Sequence, residues 1–267
     1  MPQLREISYS RDLTIAAVRD YYKFLVSMYV SESEVVQPPE SGWPSITTDN
    51  FGALGKAAEA LELLRHLPYI LDRGNGTQPE AAPGAHFVDY RLESMADSLR
   101  QGGDEVESIR MKTDGADTWQ QTPPHVIGLC SAPHGGYCFL LDTKAGIIYW
   151  VHCPAWVHEN PSWEPVTEQV ESPDQEEFRS SPAWAVEDFF ELLKDQFRAL
   201  VFLPTTEETV IETHQVVTDE EMDALPVVQG IYKKHGWPDL GTFQKDACLE
   251  VIEQYLEENC PELLQSS

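Results

Sequence analysis

Basic residues are scarce in this chain. Eighteen lysines and arginines stand against 45 aspartates and glutamates over 267 residues, a formal net charge of −27. Such a field repels phosphate backbones and anionic headgroups, which argues against a direct role on nucleic acid or on a membrane surface. Long apolar runs are missing too, and none approaches the roughly 20 residues that a bilayer-crossing helix needs. The opening MPQLREISYSRDLTIAAV has no basic stretch followed by an apolar one, so no secretory leader is read there. Cysteines are few and odd in number, five in all: Cys130, Cys138, Cys153, Cys248 and Cys260. Without a paired framework they read as free, mostly buried thiols of a reducing compartment, and the expectation is a cytoplasmic protein. In that setting Asn75-Gly76-Thr77 is a turn rather than a glycosylation site.

Catalytic signatures are absent as well. There is no CxxC pair and no HExxH, so no structural or catalytic zinc module is spelled out. HGG at 134–136 is similar to an oxyanion-hole segment, but no G-x-S-x-G elbow accompanies it. No GxGxxG or phosphate-binding loop is present. His152, Cys153 and His158 are three possible ligands without regular spacing, and the expectation is no metal and no cofactor. Carboxylate pairs such as Glu207-Glu208 and Glu220-Glu221 read as surface charge, and His66 as a cap on the end of its helix.

What is present is the material of a globular core: 42% hydrophobic residues, with seven tryptophans. The acidity is uneven. Residues 1–150 carry 20 acids against 12 bases, a net of −8, and residues 151–267 carry 25 against 6, a net of −19. Helical periodicity marks 11–30, where Ile15, Val18, Tyr22, Leu25 and Tyr29 share a face. It recurs over 51–70, with Leu54, Leu61, Leu64 and Leu67 inward and Pro68 as the stop. AHFVDYRL is a strand candidate, and 93–124 is read as a long excursion. HVIGLC begins a run of strands that ends near 153, and 154–182 is a loop rich in Pro, Trp and acids. A helix over 183–200 has Ser181 as its cap and Pro182 at an early position. VFLP follows as an extended piece. Thr218 and Glu221 form a capping-box pattern, with Pro226 breaking or kinking the helix they open. The last helix runs over about 239–258. Gly-Trp-Pro occurs at 42–44 and at 236–238, each time shortly before a helix, as a reused helix-opening device.

The centre of the chain is GGYCFLLDTKAGIIYWVHC, residues 135–153. Aromatic and β-branched residues flank a turn with Gly146, which predicts a hairpin. A four-residue loop, Thr143 to Gly146, sets Asp142 opposite Ile147 and Tyr137 opposite His152. One face then carries Tyr137, Phe139, Leu141, Ile148, Trp150 and His152. The other carries Cys138, Leu140, Ile147, Tyr149 and Val151. Both faces are apolar, so the hairpin is central. Cys138 and His152 point apart and share no metal, and Asp142 accepts backbone hydrogen bonds in the turn.

These segments resemble the SMI1/KNR4 (SUKH) superfamily. A helix runs into a Leu-Pro-aromatic element, LLRHLPYI, followed by a Gly/Asn turn, RGNGT. FLLDTKAGIIYW resembles the family's strand, Gly-turn, strand and Trp segment, and WAVEDFFELL, running on to LVFLP, resembles its closing helix. The match spans about residues 55–205, and the chain departs from it in the insertion at 93–124 and in extra helices at both ends. The whole chain also resembles intracellular proteins of filamentous fungi. The resemblance implies a two-layer α+β fold with no shared catalytic constellation and action through protein binding. Bacterial members are immunity proteins against toxins, often nucleases, and fungal members regulate cell-wall synthesis and signalling.

The expectation is therefore one α+β domain over 1–267. A central, mostly antiparallel sheet is packed by helices, and the SUKH-like core at 55–205 carries helix 11–30 and the helices of 218–258. Its function is to bind a basic protein partner through an acidic surface, with acidity that serves only solubility as the competing reading of the charge. The candidate contacts are Trp156 and Trp163, between Pro154 and Pro165, with Glu171, Asp174, Glu176 and Glu177 of the acidic loop. The same tryptophans folded back over the sheet are the competing reading. Two other functions stay open. One is a hydrolase or transferase using His134, His152 or His158, and the other a small-molecule binder in an aromatic groove around Trp150 and Trp184. Oligomeric state is not legible.

Overall fold

The computed structural model describes residues 3–74, 77–131, 136–166 and 176–265. Ser10 opens the first helix, α1 (Arg11–Met28), its hydroxyl accepting the Leu13 N–H. The chain continues through β1 (Val35–Val36), α2 (Thr48–Phe51), α3 (Ala58–His66), β2 (Tyr69–Ile70) and β3 (His86–Phe87). Next come α4 (Glu93–Gln101), α5 (Asp104–Asp114), β4 (Val126–Gly128), β5 (Cys130–Ser131), β6 (Cys138–Asp142) and β7 (Ile147–Val151). The remainder is α6 (Ala155–His158), β8 (Ala183–Ala185), α7 (Val186–Arg198), β9 (Phe202–Pro204), β10 (Val210–Glu212), α8 (Asp219–Lys234) and α9 (Lys245–Asn259). The class is α+β.

Its centre is a four-stranded antiparallel sheet in the order β4-β6-β7-β8. The β6–β7 hairpin has the expected register, Asp142 opposite Ile147 and Cys138 opposite Val151. Asp142 Oδ1 accepts the N–H groups of Lys144 (2.8 Å) and Ala145 (3.0 Å), which closes the turn. Gly146 completes it at φ 72°, where a Cβ would also meet the Tyr9 backbone at 2.8 Å. Phe139, Leu141, Ile148 and Trp150 face the larger hydrophobic cluster. Cys138, Leu140, Ile147, Tyr149 and Val151 face a smaller one, shared with Val126, Phe178 and Ala183.

Against the larger face lies α7, with Phe189 5.0 Å from Phe139 ring to ring. Helix α1 packs across α7 through Tyr21–Phe190 and Phe24–Phe197 contacts, and Lys194 crosses the seam to Asp20 at 2.5 Å. Buried tyrosines find carbonyl partners: Tyr90 donates to Gly128 (2.8 Å) and Tyr232 to Pro204 (2.9 Å). Burial pushes both phenols well up. Gly128 is required by close approach, because a Cβ there would lie 1.4 Å from the Thr113 carbonyl oxygen. Beside it, Lys56 pairs with Asp114 at 2.5 Å, and both side chains are inaccessible to solvent.

Several elements differ from the sequence reading. The helix expected over 51–70 is split at Gly55, which has φ 74°, and Leu63 rather than Leu61 is buried in its second half. The segment 93–124 contains two helices, α4 and α5, separated by Gly102-Gly103. Ser181 does not open α7: it closes the 3-10 turn Glu177–Ser180, residues 183–185 pair with β7, with Trp184 opposite Ile148, and α7 starts one strand later. Pairing across the sheet, invisible locally, overrides the cap signal. Helix α8 runs through Pro226, which is exposed, so the backbone groups it frees can meet water. The two Gly-Trp-Pro segments do precede helices, but their indoles close other helix ends. Trp43 Nε1 donates to the Leu67 carbonyl after α3 (2.8 Å), and Trp237 Nε1 to the Arg198 carbonyl ending α7 (3.1 Å). No helix among the described residues is long and apolar enough to cross a membrane.

Candidate functional site

At the far end of β7 the chain leaves the sheet through His152, which has φ 58°. Its exposed imidazole lies 3.7 Å from Asp117. Pro154 then opens α6, and Trp156 turns back toward the sheet. Its Nε1 donates to Glu212 Oε1 (2.8 Å), and its ring lies 4.8 Å from His214 and edge-on to Phe202. Glu212 is 3% exposed. It also accepts from the Tyr137 hydroxyl and from Gln215 Nε2 (2.6 Å). This is a buried carboxylate held by neutral donors, with no ion-pair partner among the described residues. Trp163 is half-buried, and its carbonyl accepts the Trp184 indole N–H at 3.1 Å.

His134 lies outside the described residues. Burial pushes the Cys153 thiol up to about 12, so at neutral pH it is not a thiolate nucleophile. No group of three or more His, Cys, Asp or Glu side chains among the described residues is arranged to hold a metal. Trp150 and Trp184 are both core side chains, packed edge to face at 6.5 Å.

At the opposite end of the hairpin the acidic loop returns to the sheet. Glu171 and Asp174 lie outside the described residues. Glu176 and Glu177 are described, Glu177 exposed and Glu176 paired with Arg179. Arg179 is 8% exposed and reaches Asp142 Oδ2 (2.9 Å) and the Tyr149 hydroxyl (3.0 Å). His125 completes the cluster, 3.7 Å from Asp142. Burial pulls its imidazole below the usual histidine range, against the attraction of Asp142. On the other side of the loop, the Val166 N–H bonds the Ala183 carbonyl at 2.8 Å. The acidic segment therefore departs from one edge of the sheet and is latched at its return.

The strongest electrostatic feature lies further along. Residues 199–265 carry fourteen aspartates and glutamates against three lysines, and none of them forms an ion pair with another described residue. Ion pairs in the described residues stop at Asp195 and Arg198. Glu207, in the β9–β10 turn, sits between two other acids and acts on both. Burial, then Glu34 and Glu207, push the Glu208 carboxyl up. Burial, then Glu207 and Glu257, do the same to Glu253 of α9. Acids distant in sequence thus meet on one surface from the turn after α1 to α9.

No family model matches the chain, and neither a curated protein nor a solved structure matches it. Sequence reasoning missed Glu212, Arg179 and the Glu207-centred surface. Two signals were there to be read. In TVIETHQ, strand alternation sets Glu212 on the side of buried Val210, and Arg179 is the lone base in DQEEFRSSP.

Proposed function

We propose that this chain is a non-enzymatic, intracellular protein-interaction or regulatory protein with a SUKH-like core, and that its acidic surface captures a basic protein. The observation that carries the reading is the set of carboxylates after Asp195 left without ion-pair partners. Here like charges are concentrated to the point of raising one another's pKa. Such a surface speeds encounter with a cationic partner and weakens as salt screens it.

The test is recovery of partners from native lysate on the tagged chain at low salt, followed by stepwise salt elution. The expected result is a basic protein released over a narrow salt range, with retention reduced by Glu207→Lys and Glu257→Lys together. Retention of neutral or acidic proteins only, or no dependence on salt, rejects the reading.

A further inference from the structure

Helix α8 has two faces that repeat with the same step. Ala224, Val228 and Tyr232 recur every four residues and are buried against the core. On the opposite side Met222, Pro226 and Gly230 recur every four residues and are exposed. Val227 borders them, 41% exposed, while Met222 is 47% exposed. The outward strip is apolar where a helix facing only water is polar. It also contains the two residues least favourable to a helix interior, Pro226 and Gly230. Nothing within the fold requires that glycine, since a Cβ at Gly230 meets no atom within 4 Å. Pro226 and Gly230 carry little or no side chain, so along this line a neighbour can approach the helix backbone closely.

The strip has a polar frame of one sign at one end. Asp219, Glu220 and Asp223 are exposed and without ion-pair partners. Lys233 and Lys234 stand at the other end, about 21 Å away at helical rise. Resting on the basic-partner reading above, we infer that the solvent face of α8 is the docking site for a basic amphipathic helix. The partner's apolar stripe lies along Met222, Pro226, Val227 and Gly230. Its lysines and arginines cluster beside Asp219, Glu220 and Asp223, and Lys233 and Lys234 set its direction by repelling that basic end. A second copy of this chain, laid antiparallel, also matches these charges. Two molecules each of net charge −27 repel one another, which favours the cationic occupant.

The probe is a synthetic 16-residue Leu/Lys amphipathic helix, with a scrambled peptide of identical composition as its control. Both are titrated into the full chain by fluorescence anisotropy at about 50 mM salt, near neutral pH. Expected is binding at least tenfold tighter for the amphipathic peptide, weakened at least tenfold by Met222→Ser with Val227→Ser. Asp219→Lys with Asp223→Lys is expected to do the same. Gly230→Leu, which blocks that close approach, should weaken binding without lowering the melting temperature, a combination that loss of folding does not produce. Equal binding of the two peptides, or binding untouched by these variants, overturns the docking face while the basic-partner reading stands. Failure of both peptides to bind overturns the face, while the basic-partner reading is decided by the salt elution above. Wild-type dimers in sedimentation velocity that Met222→Ser with Val227→Ser dissociates assign the face to a second copy instead.

Discussion

Replacing Arg179 by Met tests whether the latch at the hairpin turn holds its residues as a charged unit. Methionine keeps an unbranched stem against the Phe178 and Tyr149 rings, which the guanidinium carbon approaches to 5.1 and 5.8 Å. It removes the donors to Asp142 Oδ2, the Tyr149 hydroxyl and Glu176. Asp142 is 1% exposed and keeps its two turn bonds on Oδ1, but Oδ2 is left with only His125 at 3.7 Å. Breaking a buried pair by deleting one partner costs about 3–5 kcal/mol, against about 0–1 kcal/mol for an exposed pair. At this chain length that corresponds to a fall in melting temperature on the order of 10 °C. Arg179 also repels a proton from His125, so its loss raises the His125 pKa, which ¹H–¹⁵N NMR titration reads directly. Asp142→Asn in the Arg179→Met background removes the stranded charge, so the double variant loses less than the two single losses added. A cost below about 1 kcal/mol for Arg179→Met, or strict additivity in the cycle, refutes the buried-unit account.

Three other outcomes follow from the geometry. Gly128→Ala places a methyl 1.4 Å from the Thr113 carbonyl, so α5 and β4 must separate. The expected result is loss of the cooperative urea transition, since overpacking at backbone costs more than the usual ~1–3 kcal/mol. Glu253→Gln and Glu208→Gln relieve burial and like-charge repulsion, so each raises the melting temperature at pH 7, by less at high salt. Burial holds His86 and His125 below the usual histidine value, so near and below pH ~6.5 the unfolded chain binds more protons than the folded one. That stability is present above about pH 6.5 and is lost as pH falls toward the folded-state pKa values. His125→Gln should flatten the slope of melting temperature against pH between about 6.5 and 5.

Where the controlling interactions were local or strictly periodic, the sequence was readable. The hairpin register follows from alternation on either side of a four-residue turn, and Asp142 closes that turn as its chemistry demands. Thr218 and Glu221 form the expected capping box because every partner lies within three residues. The errors came where a distant segment decides. Ser181-Pro182 spells a helix start, but β7 takes residues 183–185 into the sheet first. Helices α4 and α5 bury only Ala96, Leu99, Ile109 and two polar residues, Thr113 and Asp114, so their apolar stripes are too thin to stand out. Asp114 is buried because Lys56 comes to meet it from 58 positions away.

Charge shows the same division between amount and placement. The excess of acid was countable, but the contacts that turn it into a surface join residues 34, 207, 208, 253 and 257 only after folding. Tryptophans in the loop after β7 stood out as anchors, yet Trp156 spends its indole N–H on Glu212 within the fold. Two of the exposed apolar side chains, Met222 and Val227, lie on α8, whose proline reads as a break in the sequence. That proline matters because the helix continues past it. A residue that weakens the helix on its solvent side, beside an exposed methionine and three free carboxylates, gives the fold nothing by contacts within the chain. On the reading proposed above, such a face serves a contact outside the chain, and its acidic end favours a cationic partner.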